Sequence, residues 1–382
     1  MKKIYLLVLT FLIILLSGCW DYREIEDVII ANTISLDKDK ETEQYILNAE
    51  VIDVKGTMTG VDLNSVIVES RGTTIVEAVR NMIGLTTKTP YWSHVTTIVL
   101  SQEIAKEGID PVLDWIARSP ELQLTLRIFI SKEKTAKETL NKEQEFTKIR
   151  TFEYERVAKS FRLLSKLPDV KVYKVLNEVQ SKELFSVLPA VELVDINGKS
   201  VVNFTGSAYF DKGKLIGFLS PIDTMKYLFV VNQIKGGVLI IPTDENNDNK
   251  VTLDIYRNST NIDISFDNGS PHITVNIKPT VNISEIDSNI DYTSDEGRKI
   301  LKETADKYLV SEIKNFIEGI QKNQSTDIFN IGSKIKKSHP NVWRKIEKNW
   351  DEIFSELDID IISDIRIKNS QHISTPVGGK VR

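Results

Sequence analysis

The sequence predicts a mixed α+β protein of several small domains, and three observations carry that reading. Apolar residues alternate over short runs such as Val28 to Leu36 and Tyr45 to Val54, then switch to helical spacing between runs. The chain has 382 residues, more than one ordinary core organises, so two or three domains are expected. With 41% hydrophobic and 27% charged residues but one cysteine, folding rests on packed cores and not on disulfides.

The first element is a secretory signal. Lys2 and Lys3 form a positive start, and Ile4 to Leu16 is an apolar run of 13 residues. A membrane-spanning helix needs about 20 such residues, which disfavours the alternative of an uncleaved anchor. Leu16-Ser17-Gly18-Cys19 follows and resembles the lipobox of bacterial lipoproteins. A branched apolar residue stands at −3, and small residues let a peptidase approach the backbone. The thiolate of Cys19 can then take up a diacylglycerol group as a thioether. The resemblance implies cleavage before Cys19, diacylglycerol and N-acyl lipid on that residue, and attachment to the outer face of a membrane. Two acyl chains suffice for stable anchoring, at about 0.8 kcal/mol per buried CH₂.

Beyond the anchor, Val28 to Leu36, Tyr45 to Val54 and Ser65 to Arg71 read as strands, with a turn at Asp37-Lys38-Asp39-Lys40. Ile75, Val76, Val79, Met82 and Ile83 recur at spacings of three and four, and Thr73 or Thr74 can cap the start, so Thr73 to Ile83 is an amphipathic helix. A strand over His94 to Leu100, a helix over Glu103 to Arg118 broken near Gly108-Pro111, and a strand over Leu124 to Ile130 complete an N-terminal module. Thr135 to Leu167 looks helical and polar, a connector with Phe152, Val157, Phe161 and Leu164 as a loose stripe.

Strand signals return at Val187 to Val194, Val201 to Phe210, Lys214 to Leu219 and Leu228 to Ile241, separated by Asn197-Gly198, Asp211-Lys212-Gly213 and Lys235-Gly236-Gly237. Asp244 to Asn249 is polar and reads as a linker or hairpin loop; it lacks the glycine and distal glutamate of a calcium-binding EF-hand. Val251 to Ile255, Thr260 to Phe266 and His272 to Ile283 are three more strands. A helix spans Glu296 to Lys322, and another starts near Pro340 with Trp343, Ile346, Trp350, Ile353, Phe354 and Leu357 as its apolar stripe. Asp358-Ile359-Asp360-Ile361 opens a closing strand. The expected division is therefore a signal peptide at 1–18, an N-terminal α/β domain at 19–133, and a helical connector with a strand-rich middle domain at 134–245. A C-terminal α/β domain with two long helices follows at 246–370, then a flexible tail at 371–382. The architecture is three small domains with mixed or antiparallel sheets and packed helices.

The chemistry of the chain points away from catalysis. It carries no nucleophile elbow, phosphate loop, dinucleotide fingerprint or zinc-protease helix, and His94, His272, His339 and His372 lack metal-ligand spacing. No metal or further cofactor is expected. The net charge of −5 falls to about −7 when Lys2 and Lys3 leave with the signal, which argues against a nucleic-acid partner. Two features could meet a partner. Thr86 to Trp92 is a polar loop presenting Tyr91 and Trp92, and the Trp343/Trp350 stripe could form a groove, although helical spacing of large apolar residues favours core packing.

Gly18-Cys19-Trp20-Asp21-Tyr22-Arg23-Glu24-Ile25 resembles the opening of the Ger(x)C lipoproteins, the C subunits of spore germinant receptors in Bacillus and Clostridium relatives. Lys337-Ser338-His339-Pro340-Asn341-Val342-Trp343 and Asn349-Trp350-Asp351-Glu352-Ile353-Phe354 resemble that family's C-terminal segment. The resemblance implies a three-domain, non-catalytic lipoprotein working with two integral-membrane subunits in the inner membrane of the dormant spore. There, nutrients trigger ion release and germination. Trp20, Asp21, Arg23 and Glu24, with Tyr91 and Trp92, are the candidate partner contacts. The competing expectation is a solute-binding lipoprotein of a transporter, which needs two α/β lobes around a cleft. An exported hydrolase, the third class, has no motif to support it.

Overall fold

A computed structural model describes residues 3–5, 27–57, 60–141, 151–180, 187–244, 249–267, 269–288, 290–324 and 326–368. Leu16, Ser17, Gly18, Cys19, Trp20, Asp21, Arg23, Glu24 and the 371–382 tail lie outside them. The chain folds as a mixed α+β protein with one nine-stranded sheet and two small ones.

The large sheet begins with β1 (Val28–Lys38), β2 (Tyr45–Thr57) and β3 (Gly60–Gly72), an antiparallel set. Helix α1 (Ile75–Thr86) leads to the short β4 (Thr89–Tyr91), then β5 (Thr97–Leu100). Both run parallel to β1, with Val28 beside Thr89 and Thr33 beside Thr97. Helices α2 (Gln102–Glu107) and α3 (Asp110–Arg118) return the chain to β6 (Arg127–Ser131). After α4 (Glu138–Asn141), α5 (Thr151–Leu164) and α6 (Val172–Gln180) come β7 (Val187–Ile196), β8 (Lys199–Asp211) and β9 (Lys214–Leu219). The order is β3-β2-β1-β5-β6-β7-β8-β9, with β4 beside β1.

The parallel centre explains the unbroken apolar runs. Ile98, Leu100, Ile128 and Ile130 face one core with Ile75, Ala78, Met82, Ile104, Val112 and Ile116 from the helices. Val99 and Phe129 point the other way, to Ala136, Leu140, Tyr154 and Phe161. Strands covered on both faces need no polar alternation. The segment expected as a connector thus covers the second face of the sheet, where Tyr154 and Phe161 are buried and Phe129 meets Tyr154 edge to face at 5.3 Å. One sheet also joins strands on both sides of residue 133, because β6 before it pairs with β7 after it at Ile130 and Ala190.

One stretch differs outright. Leu228 reads as the start of a strand, but α7 (Pro221–Val230) is a helix. Ser220 accepts a hydrogen bond from the Asp223 N–H at 3.1 Å, and Pro221 takes the first turn. Tyr227, Leu228, Phe229 and Val230 are all buried, so no alternation marks the period.

The C-terminal part holds β10 (Val238–Pro242), β11 (Lys250–Arg257), β12 (Thr260–Asp267), β13 (Ser270–Ile277) and β14 (Thr280–Asp287). The expected single strand over His272 to Ile283 is two, since the chain passes from one small sheet to the other at Lys278-Pro279. The 30-residue α8 (Asp295–Gln324) is followed by α9 (Ile331–Ser338), α10 (Pro340–Ile346), α11 (Trp350–Glu356), β15 (Ile359–Ser363) and β16 (Arg366–Ile367). The second long helix, expected to begin near Pro340, is therefore two short ones, α10 and α11, joined by a 3-10 turn at Glu347–Asn349, and α9 precedes it. Sheets β10-β11-β14-β16 and β12-β13-β15 share a core with α8, through Leu253, Val275, Leu301, Leu309 and Ile361.

Candidate functional site: an open groove beside Trp92

Of the sequence-derived contact residues, Tyr91 and Trp92 are described, and Trp92, but not Tyr91, lines a groove of about 730 Å³ between α1 and α3. Two local devices set the position of α1. Thr74 accepts from the Glu77 N–H at 3.1 Å while Glu77 accepts from the Thr73 N–H and hydroxyl at 2.7 and 2.6 Å. These bonds, the Thr73 hydroxyl first, hold the Glu77 carboxyl below its usual range. Gly72 lets the helix begin hard against β3, because a Cβ there would collide with the backbone nitrogen of Ala78. At the other end Thr87 turns left-handed (φ 56°) and its N–H caps Ile83 O at 3.0 Å.

The apolar stripe of α1 is then split. Ile75, Ala78 and Met82 enter the core, whereas Val76 and Ile83 remain 47% and 44% exposed and line the groove with Val79. Opposite them stand Trp115, Asp114 and Arg118 of α3, and Trp92 and Pro90 close one end. Arg118 Nε donates to both carboxylate oxygens of Asp114 at 2.8 and 2.9 Å. Arg80 and Glu121 complete the rim. An apolar floor with a few charged groups at its edge has the composition of a small-molecule or partner site. Trp92 is buried and Tyr91 exposed, its ring 5.6 Å from His94. The loop therefore contributes one wall residue and one outward-facing ring.

Trp115 and Arg118 escaped the sequence reading, because only the fold sets α3 beside α1. The excess width of the α1 stripe was the available signal: five apolar residues in nine positions exceed what one core face needs.

The Trp343/Trp350 stripe is packing. The rings meet at 5.5 Å, and Gly332 lies so close that a Cβ would stand 2.7 Å from Trp350 Nε1. That indole donates to Asp327 Oδ2 at 3.2 Å. The same carboxylate accepts the Gly332 N–H at 2.7 Å and the Phe329 N–H at 3.1 Å, and burial pushes its pKa up. The described histidines are dispersed: His272 lies 3.3 Å from Asp360, and His339 contacts Ser338 at 2.8 Å. Among the described residues no group of three or more His, Cys, Asp or Glu is arranged to hold a metal, and no helix is long and apolar enough to cross a membrane.

Comparison with known proteins covers almost the whole chain. Residues 21–193 match the family described as spore germination protein N-terminal domain, and residues 205–371 match spore germination B3/GerAC like, C-terminal. Spore germination protein KC of Bacillus subtilis is 25% identical over 98% of both chains. Spore germination protein B3 of the same organism is 26% identical over 95% of this chain and 96% of the relative. The crystal structure of the GerBC protein superposes with a TM-score of 0.58 at 21% identity, covering 88% of this chain and 97% of that one. This last likeness concerns the fold.

Proposed function

The chain belongs to the spore germination B3/GerAC-like family, and from that premise we propose that it is the lipid-anchored C subunit of a nutrient germinant receptor. In this reading it acts without catalysis beside two integral-membrane subunits in the inner membrane of the spore. The observation that carries the reading is the family match through both halves of the chain, from residue 21 to residue 371. The lipobox at Leu16 to Cys19 immediately precedes the matched region and supports attachment through Cys19. Anchoring confines the folded body near its membrane partners and raises their effective concentration. The transporter alternative calls for a cleft between two lobes, whereas the groove at Trp92 lies on one face of a single sheet.

Deletion of the gene, or Cys19→Ala, should abolish or weaken germination in response to one nutrient set, scored as loss of optical density in spore suspensions. A deletion strain, freed of related receptor genes, that germinates normally in every nutrient would sink the proposal. Mass spectrometry of the membrane fraction should find Cys19 as an acylated N-terminus.

A further inference from the structure

The end of the large sheet at which β1 begins carries a set of exposed apolar side chains that the packing does not use. Leu85 at the close of α1 is 60% exposed, Tyr91 in β4 37%, and Leu124 just before β6 45%. They come from three segments: the parallel register levels Tyr91 with the approach to β6, and Leu85 closes α1 just before β4. Tyr91 pairs with Ile30, and Thr97 of β5 lies between Thr33 of β1 and Arg127 of β6. Tyr173, 39% exposed, joins Leu124 through its N–H to the Leu124 carbonyl at 2.9 Å. Lys88 lies between Leu85 and Tyr91, and Lys171 two residues before Tyr173. Rings and branched chains flanked by lysine suit the headgroup layer, where apolar atoms enter the acyl boundary and ammonium groups meet phosphate.

The tether decides which surface this end can reach. Eight residues separate Cys19 from Val28, a span of at most about 30 Å when fully extended. The ten steps of β1 from Val28 to Lys38 cover about 34 Å, at roughly 3.4 Å each. A lipid on Cys19 therefore holds the start of β1 close to the bilayer, while the opposite end, with the turn after Lys38, can approach it only if the tether runs back along the whole strand. We propose that the strand-start end of the large sheet, through Leu85, Tyr91, Leu124 and Tyr173, rests on the lipid surface itself. The inference rests on the lipidation of Cys19.

Cys19 is the single cysteine of the chain, so once it is acylated an introduced cysteine can be labelled uniquely. Full-length lipidated protein carrying Leu85→Cys, Leu124→Cys or Lys40→Cys would be labelled with an environment-sensitive fluorophore and reconstituted in phosphatidylglycerol/phosphatidylethanolamine vesicles. Labels at 85 and 124 should shift to the blue, lose iodide quenching and gain quenching by brominated lipid. The label at 40, in the turn at the other end, should behave as it does without vesicles. Equal iodide access at 40, 85 and 124 in protein that floats with the vesicles would overturn the orientation alone. Shielding at 40 together with 85 and 124 would overturn it in favour of a body lying on its side. Protein isolated from its own cells with no lipid on Cys19 and found in the aqueous fraction would remove the anchoring and the orientation together.

Discussion

The two halves of the molecule surround their tryptophans differently: Trp92 and Trp350 are equally buried, at 7% exposure each, but what lies beside them is not. In the C-terminal half Trp343 and Trp350 close over Gly332, and the indole N–H of Trp350 is spent on the buried carboxylate of Asp327. In the N-terminal half Trp92 and Trp115 line an open groove, beside valine and isoleucine side chains left nearly half exposed. The first arrangement packs both rings onto the C-terminal core, although the buried Trp343 Nε1 finds no hydrogen-bond partner among the described residues. The second leaves apolar side chains of α1 exposed along the groove.

The largest test of the difference is Asp327→Ala. It strips the partner from the Phe329 and Gly332 N–H groups and the Trp350 indole N–H, all partly buried. At roughly 1–3 kcal/mol for each orphaned donor, the variant should lose about 5 kcal/mol, read as a lower urea midpoint of tryptophan fluorescence. A loss below about 1 kcal/mol would break the comparison, because the C-terminal aromatics would then hold without their carboxylate.

Trp92→Ala comes next, at about 4 kcal/mol for truncating a buried indole. Its informative partner is Val76→Ser, on the groove side of the same region. That change should cost no more than about 0.5 kcal/mol, since the side chain is 47% exposed. Together the two variants separate residues that hold the fold from residues that only face the groove.

The N-terminal half holds a buried carboxylate that can be tested by pH. Asp37 accepts the N–H groups of Ala136 and Lys137 at 2.6 and 3.0 Å, tying β1 to the segment that enters α4. Burial pushes its pKa up to about 6, the backbone donors oppose this, and Glu138 and Glu69 add to it. An acid with a raised folded pKa binds its proton more readily when folded. Its contribution therefore favours folding below about pH 4 and is lost as pH rises through about 6, some 3 kcal/mol in all. Stability of the native chain relative to Asp37→Asn should fall across that interval, measured by urea titration at each pH. Parallel curves would mean that Asp37 keeps an ordinary pKa in the fold.

How much of this was legible depends on whether a local signal existed. Helix α1 announces itself twice, by the Thr74 and Glu77 capping pair and by its apolar spacing. Helix α7 carries a comparable start at Ser220-Pro221, but Leu228 to Val231 reads equally well as strand, since a segment buried all round has no period. The pairing of β6 with β7 across 55 intervening residues leaves no trace in local composition, so residue 133 looks like a boundary although strands on either side of it share one sheet. Of the groove, Trp92 and half of α1 were visible; Trp115 and Arg118 required the tertiary arrangement. Asp327 was invisible for the same reason, as nothing about one aspartate in sequence says that an indole 23 residues away will donate to it.

Smaller effects test how the groove is framed. Thr74→Ala removes the cap of α1 and should cost about 1 kcal/mol. Rescue by Ser or Asp, and not by Val, would show that the side-chain oxygen matters and not the methyl group.

Arg118→Ala is the smallest change in stability and the sharpest in meaning. The Asp114–Arg118 pair sits at i and i+4 on α3 with side chains 61% and 78% exposed, so water and salt screen it. Such a pair contributes about 0.3 kcal/mol, within the error of most unfolding curves. The variant should therefore melt with the native protein, at low salt and at high salt alike. A stability-neutral Arg118→Ala that still alters the germination response would assign the rim of the groove to partner or ligand contact. A neutral variant with a normal response would leave Arg118 as a solvated edge and direct attention to Val76, Val79 and Ile83 on the opposite wall.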